Sequence, residues 1–424
     1  MVTKSLSPPN VARDLAFSGW IDFFRGVAAL AVLYSHARVL FLKSMAPDYA
    51  ISIISRGMYF LSGYGHISVM VFFVLSGFLV GGTVIRARRD DRWSWRRYAI
   101  QRGTRLYVVL IPALLLTAVW GCAEKIQRES LVANDDTAVA IIPSQTIREN
   151  SSPAIFAGNL AFLQTIFVPP FGSNPPLWSL ANEFWYYVIF PLAWIALARG
   201  QTRLWTRLLY FAIAALLLVM VGKGIAIYFI IWLMGCLVWL LPEIPALADK
   251  SRRRTVTALA GGMFLTVLVA VRFIRGWNDI VLDLLVGVAF AVLLYCLKHN
   301  RLRARFPRIR QSAAFLAEFS YTLYLVHLPP LIFLRACLTY ETAWPASPWA
   351  WTKVFLIIAA VLFYAYAISL VTERQTDRVR RWLEGLIGLT RARYESASVG
   401  EARQSSISAA AASDAIGSLT NIAT

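Results

Sequence analysis

The sequence predicts an all-α, polytopic integral membrane helical bundle of about ten transmembrane helices, with both termini cytoplasmic. Three observations lead there. The chain is 58% hydrophobic and only 15% charged, with a mean hydropathy of +0.58, whereas soluble domains carry about 25% charged residues. Its apolar residues recur in runs near the length of about 20 residues that crosses a bilayer. The net charge of +19 is confined to short segments between those runs. That distribution belongs to membrane connections and argues against a nucleic-acid groove.

Eleven apolar runs lie near 18–42, 67–85, 104–121, 153–168, 177–198, 207–222, 224–241, 256–273, 279–297, 314–338 and 350–372. Eight arginines oppose Asp90 and Asp91 within 86–105, and six basic residues fill "KHNRLRARFPRIR" at 298–310. Arg199, Arg203 and Arg207 punctuate a third connection and "DKSRRR" a fourth. Cytoplasmic loops collect Lys and Arg, so these four segments belong on one side. They share it only if one run fails to cross. The run 153–168 is short, holds Asn159 and Gln164 and is followed by "VPPFGSNPP". Proline and glycine at that density end a helix, so 153–176 reads as a re-entrant or surface segment of a long outer loop beginning near 122.

The first run carries Asp22 and Arg25 and lacks a small-residue cleavage site, so it is expected to remain as an anchor. The resulting division is a cytoplasmic segment at 1–17, a transmembrane domain at 18–372, a basic cytoplasmic segment at 373–394 and a Ser/Ala-rich tail at 395–424 expected to be disordered. Cys122, Cys236, Cys296 and Cys337 show no metal or redox spacing. They read as apolar-site residues, with a Cys122–Cys337 disulfide left open.

Ionisable groups inside spans are expensive, by a few kcal/mol for a central charge, and mark function by default. Arg25 and His36 are eleven residues apart, close to three helical turns, so they share a face about 16 Å apart along the axis. The stretch "GHISVMVFFVLSGFLVGG" (65–82) reads as packing through Gly77, Gly81 and Gly82. Arg102 and Arg105 share a helical face at a cytoplasmic mouth, where paired guanidiniums suit phosphate and equally suit lipid headgroups. In "PPLWSLANEFWYYVIFPL", Glu183 follows Ser179 by one turn, and Trp178 and its aromatic neighbours read mainly as an interfacial belt. Ser320, Tyr324 and His327 line one face of a later run. Pro329 and Pro330 follow them and are expected to break that helix and open a polar pocket.

Five stretches in order, "IDFFRGVAALAVLYSH", "VFFVLSGFL", "RGTRLY", "WSLANEFWYYVIFPL" and "SYTLYLVHLP", resemble the signatures of the membrane-bound acyltransferase family 3, over about residues 18 to 372. The family's arginine–ten residues–histidine motif falls on Arg25 and His36. Its paired arginines fall on Arg102 and Arg105, and its Trp-Ser-Leu-x-x-Glu on Trp178, Ser179, Leu180 and Glu183. The proline that members commonly place soon after the arginine pair is delayed here to Pro112.

The resemblance implies a bacterial inner-membrane O-acyltransferase. It would move an acyl group, usually acetyl, from cytoplasmic acyl-CoA to a hydroxyl of a cell-surface polysaccharide, lipopolysaccharide or other envelope glycan. No metal is implied. His36 and Glu183 are then the catalytic candidates, with Arg25, Arg102 and Arg105 on the donor and Trp178, Ser179, Tyr324 and His327 on the acceptor. Direct transfer and a transient acyl-histidine both remain open. The competing reading is a proton-coupled transporter or flippase of lipid-linked sugar, which the intramembrane His and Glu would also serve. Against it, the sequence shows no internal duplication of the kind common in transporters.

Overall fold

The computed structural model describes residues 11–44, 52–130, 144–198, 203–244, 249–274, 276–300, 307–339 and 342–386. The tail at 395–424 and much of the loop following 122 therefore lie outside the described residues. Helices dominate: α1 (Val11–Phe41), α2 (Ile53–Leu61), α3 (Gly65–Ser76), α4 (Gly82–Arg89), α5 (Trp95–Ser130), α6 (Ser144–Glu149), α7 (Pro153–Leu160), α8 (Leu177–Leu197) and α9 (Leu204–Met220). They continue as α10 (Gly222–Leu240), α11 (Lys250–Ala270), α12 (Asp279–His299), α13 (Pro307–Glu318), α14 (Ser320–Val326), α15 (Leu328–Leu338), α16 (Pro348–Val371) and α17 (Thr376–Leu386). Among the described residues β-pairing is limited to two isolated bridges, Leu42 with Trp344 and Gln164 with Val168.

Among the described residues, eight helical stretches are long and apolar enough to cross a membrane. The pair α14–α15 is apolar enough to count with them when taken together but is bent by 47°, and α9 is a shorter apolar helix. These are the ten apolar rods that the hydropathy runs predict. The eleventh run forms only the eight-residue α7, far short of the bilayer. The irregular chain after α7 is folded into protein, where non-helical backbone at membrane depth is tolerated. Asn159 and Gln164 are fully buried and satisfy its backbone. Asn159 Nδ2 donates to Pro169 O at 2.9 Å, its Oδ1 accepts from Phe171 N at 3.0 Å, and Gln164 Nε2 donates to Leu177 O at 2.9 Å.

The described chain divides into two compact units, Met1–Trp93 with Leu106–Arg374, and Ser94–Arg105 with Gln375–Thr424. In the first, α1 packs against α3, α13, α14, α15 and α16. The glycines of 65–82 act as the sequence predicts. A Cβ on Gly77 would stand 1.8 Å from Trp232 O, and one on Gly235 2.0 Å from Val74 O. α10 and the α3 segment therefore meet backbone to backbone, through a π-helical turn at Gly77–Gly81. All four cysteines are free. In the second unit, α17 is a short Arg-rich amphipathic helix with Trp382 and Leu386 exposed.

The ends of the first unit differ chemically. At one end, Arg374 pairs with Glu318 at 2.8 Å, Arg86 and Arg89 lie over the Trp239 ring, and Lys298 Nζ donates to the carbonyls of Val238, Trp239 and Leu241. At the other end gather the C-terminus of α1, the Ser62–Tyr64 turn, and the starts of α3, α8 and α12. His66 touches Trp178 and Asp283 there, and Tyr64 Oη donates to Leu268 O.

Candidate active site

Two prolines set the geometry. Pro329 and Pro330 carry no N–H, so the carbonyls of Leu325 and Val326 lose their usual helical donors. The helix breaks at His327 and resumes as α15. Leu325 O is capped instead by Asn174 Nδ2 at 2.8 Å, a fully buried side chain from the irregular segment before α8. The imidazole of His327, 1% exposed, folds back so that Nδ1 lies 3.0 Å from Leu323 O and 2.9 Å from Tyr324 O.

Those contacts fix where protons sit. Both carbonyls can only accept, so His327 Nδ1 carries the hydrogen and its Nε2 holds a lone pair. That Nε2 lies 2.8 Å from His36 Nδ1, the rings stacked with centroids 5.1 Å apart. His36 Nδ1 must therefore donate, which leaves His36 Nε2 unprotonated with no hydrogen-bond partner among the described residues. An imidazole held this way is ready to accept a proton at one defined atom.

The other residues singled out in the sequence fall around this pair. Arg25 shares its face of α1 with His36, as their spacing predicts, and its Nη2 donates to Ser320 Oγ at 3.1 Å. Its ion-pair partner is Glu373, at 3.8 Å. Glu373 Oε2 also accepts from the backbone and hydroxyl of Thr322, each at 3.0 Å. Glu373 escaped the sequence reading because it stands just past the last span, in a basic segment. Tyr324 Oη meets Ser179 Oγ at 2.7 Å, joining α14 to α8 beside the histidines. Glu183 has no hydrogen bond to His36. Its Oε1 accepts from Ser76 Oγ at 2.9 Å and from Tyr187 Oη, and Trp232 Nε1 donates to Ser76 Oγ at 3.1 Å. The stretch read as pure packing thus also supplies a hydroxyl to the Glu183 carboxylate of α8. Arg102 and Arg105 belong to the second unit, both partly exposed, with Arg102 over the Tyr98 ring at 5.7 Å.

Over 296 residues the chain is 24% identical to the putative peptidoglycan O-acetyltransferase YrhL of Bacillus subtilis, covering 63% of this chain and 44% of that one. Over 205 residues it is 27% identical to the acyltransferase MdmB of Streptomyces mycarofaciens, covering 47% of this chain and 44% of that one. An uncharacterized protein of Haemophilus influenzae is 32% identical over 127 residues, or 29% of this chain and 46% of that one. The chain thus spans less than half the length of these relatives, and no solved structure matches. The profile of the acyltransferase 3 domain matches residues 18–374, which takes in the histidine pair, Glu183 and Glu373: the chain is an integral membrane protein of the acyltransferase 3 family.

Proposed function

We propose that the protein is an O-acyltransferase that moves an acyl group, most simply acetyl, from cytoplasmic acyl-CoA to a hydroxyl of an envelope glycan. The observation that carries this reading is the free Nε2 of His36, left basic by the bond that its Nδ1 makes to His327. The positive-inside rule assigns the Arg-rich end of the bundle to the cytoplasm and the histidine end to the opposite face. The donor supplies an activated thioester carbonyl. His36 Nε2 takes the proton of the acceptor hydroxyl as its oxygen bonds to that carbonyl carbon. The C–S bond then breaks, and His36 returns the proton to the departing sulfur. His327 holds the ring and its tautomer throughout. Arg102 and Arg105, three residues apart on one helical face and partly exposed, fit the anionic phosphates of the donor. Arg25, engaged by Ser320 and Glu373, ties α1 to α14 instead.

The test is acyl transfer from radiolabelled acetyl-CoA in membranes containing the protein. His36→Ala is expected to abolish transfer while the protein accumulates and folds as wild type; transfer at the wild-type rate would overturn the assignment. Arg102→Ala and Arg105→Ala are expected to weaken thermal protection by acetyl-CoA. Unchanged protection in both would remove them from the donor site. A flippase would instead move unmodified glycan with no donor present.

A further inference from the structure

A second imidazole is anchored at the histidine end of the bundle. His66, near the start of α3, places Nε2 2.8 Å from Asp283 Oδ2 of α12, and Tyr228 Oη of α10 donates to the same oxygen at 2.9 Å. The Asp283 side chain is 4% exposed and that of His66 is 51% exposed. A buried carboxylate accepts, so in the neutral ring His66 Nε2 carries the hydrogen and Nδ1 presents a lone pair. Nδ1 has no hydrogen-bond partner among the described residues, and neither has Asp283 Oδ1. Aromatic rings stand around them: Trp178 stacks on His66 with centroids 6.0 Å apart and 21° between planes, and Tyr228 lies 5.6 Å from Trp178. In the neutral ring both open positions are acceptors, and the half-exposed imidazole makes Nδ1 reachable from outside the protein. Whatever fills them must donate, as the hydroxyls of a sugar do, while its apolar face lies on aromatic rings.

This cluster adjoins the first one. Trp178 precedes Ser179, whose Oγ meets Tyr324 Oη at 2.7 Å, and the Tyr324 ring lies 6.2 Å from that of His327. Gly65, beside His66, packs on Ser35, beside His36, so closely that a Cβ on it would stand 2.6 Å from Ser35 Cβ. Building on the acyltransferase reading, we propose that His66, Asp283, Tyr228 and Trp178 form the acceptor subsite. It holds the ring of a neutral, polyhydroxylated sugar beside the histidine pair.

The experiment titrates de-O-acylated envelope glycan from a deletion strain into membranes at saturating acetyl-CoA. Removing a hydrogen bond to a charged or anchored acceptor corresponds to about a tenfold or greater loss of affinity. His66→Phe and Asp283→Asn are therefore expected to raise the KM for glycan by about that factor, with the KM for acetyl-CoA unmoved. His66→Gln can donate to Asp283 through its amide and offer its oxygen where Nδ1 stood, so it is expected to recover most of the glycan affinity. A purely structural role would lower folded protein and move both KM values together, or give His66→Gln no advantage over His66→Phe; either outcome overturns the subsite. So does a wild-type KM for glycan in both variants. If wild-type membranes transfer no acyl group to the glycan, the acyltransferase reading fails by itself. The subsite is then judged by the thermal shift that the same glycan produces. A wild-type shift lost in His66→Phe supports it, and no wild-type shift overturns it.

Discussion

Replacing His327 with Phe preserves a ring at the helix break and removes both of its nitrogens. His36 Nδ1 then loses the acceptor 2.8 Å away that obliges it to hold the hydrogen. Leaving that buried N–H unsatisfied costs about 1–3 kcal/mol. The ring escapes by turning or by moving its hydrogen to Nε2, and either change removes the proposed base from its working position. At about 1.4 kcal/mol per factor of ten in rate, kcat is expected to fall about 5- to 150-fold. His327→Gln restores an acceptor oxygen and is expected to retain more activity than His327→Phe. The assay is label transfer from acetyl-CoA to glycan in membranes, normalised to folded protein, with the thermal midpoint measured in parallel. If His327→Phe keeps kcat within twofold of wild type, or if Phe and Gln are equally impaired, the relay from broken helix to His327 to His36 is refuted.

Three further outcomes follow from packing and capping. Gly235→Ala puts a Cβ 2.0 Å from Val74 O and 2.5 Å from Phe78 N, backbone atoms that cannot swing aside; it is expected to destabilise by about 1–3 kcal/mol or more, read as a lower thermal midpoint in detergent. Asn174→Leu uncaps Leu325 O and is expected to lower the midpoint by a similar about 1–3 kcal/mol, with activity falling as the break relaxes. Glu373→Ala removes the acceptor of both Thr322 donors and the counter-charge of Arg25. It is expected to destabilise, with Glu373→Gln recovering part of the loss through its amide oxygen.

Hydropathy and charge were enough to draw the ten rods, because the energetics of a bilayer act on local composition, and to set aside the run at 153–168. Its Asn159 and Gln164 signalled that failure, and the structure gives the reason: they satisfy the backbone of a segment folded into protein. The glycines of 65–82 and the break after His327 were legible for the same reason, since Gly and Pro act on the backbone wherever they stand. The pairing of His36 with His327 was not, because the two lie 291 positions apart and nothing local encodes which neighbour an imidazole meets. Glu183 was recognised as a carboxylate needing a partner, but its partners, Ser76 and Tyr187, lie elsewhere than the imidazole. Asp283 and Glu373 went unnoticed, one at a helix start and one beyond the last span, where acidic residues are commonplace. Only the folded chain shows that each serves two donors from other segments.

The tie from Arg25 through Glu373 to Thr322 joins the first span to the residues that follow the last. α1 enters the bilayer early in synthesis, yet the carboxylate that answers its guanidinium leaves the ribosome only after every other span has emerged. Biogenesis therefore closes like a clasp. A nascent chain released before residue 373 holds His36 on a helix whose Arg25 still lacks the Glu373 carboxylate that pairs with it in the folded protein.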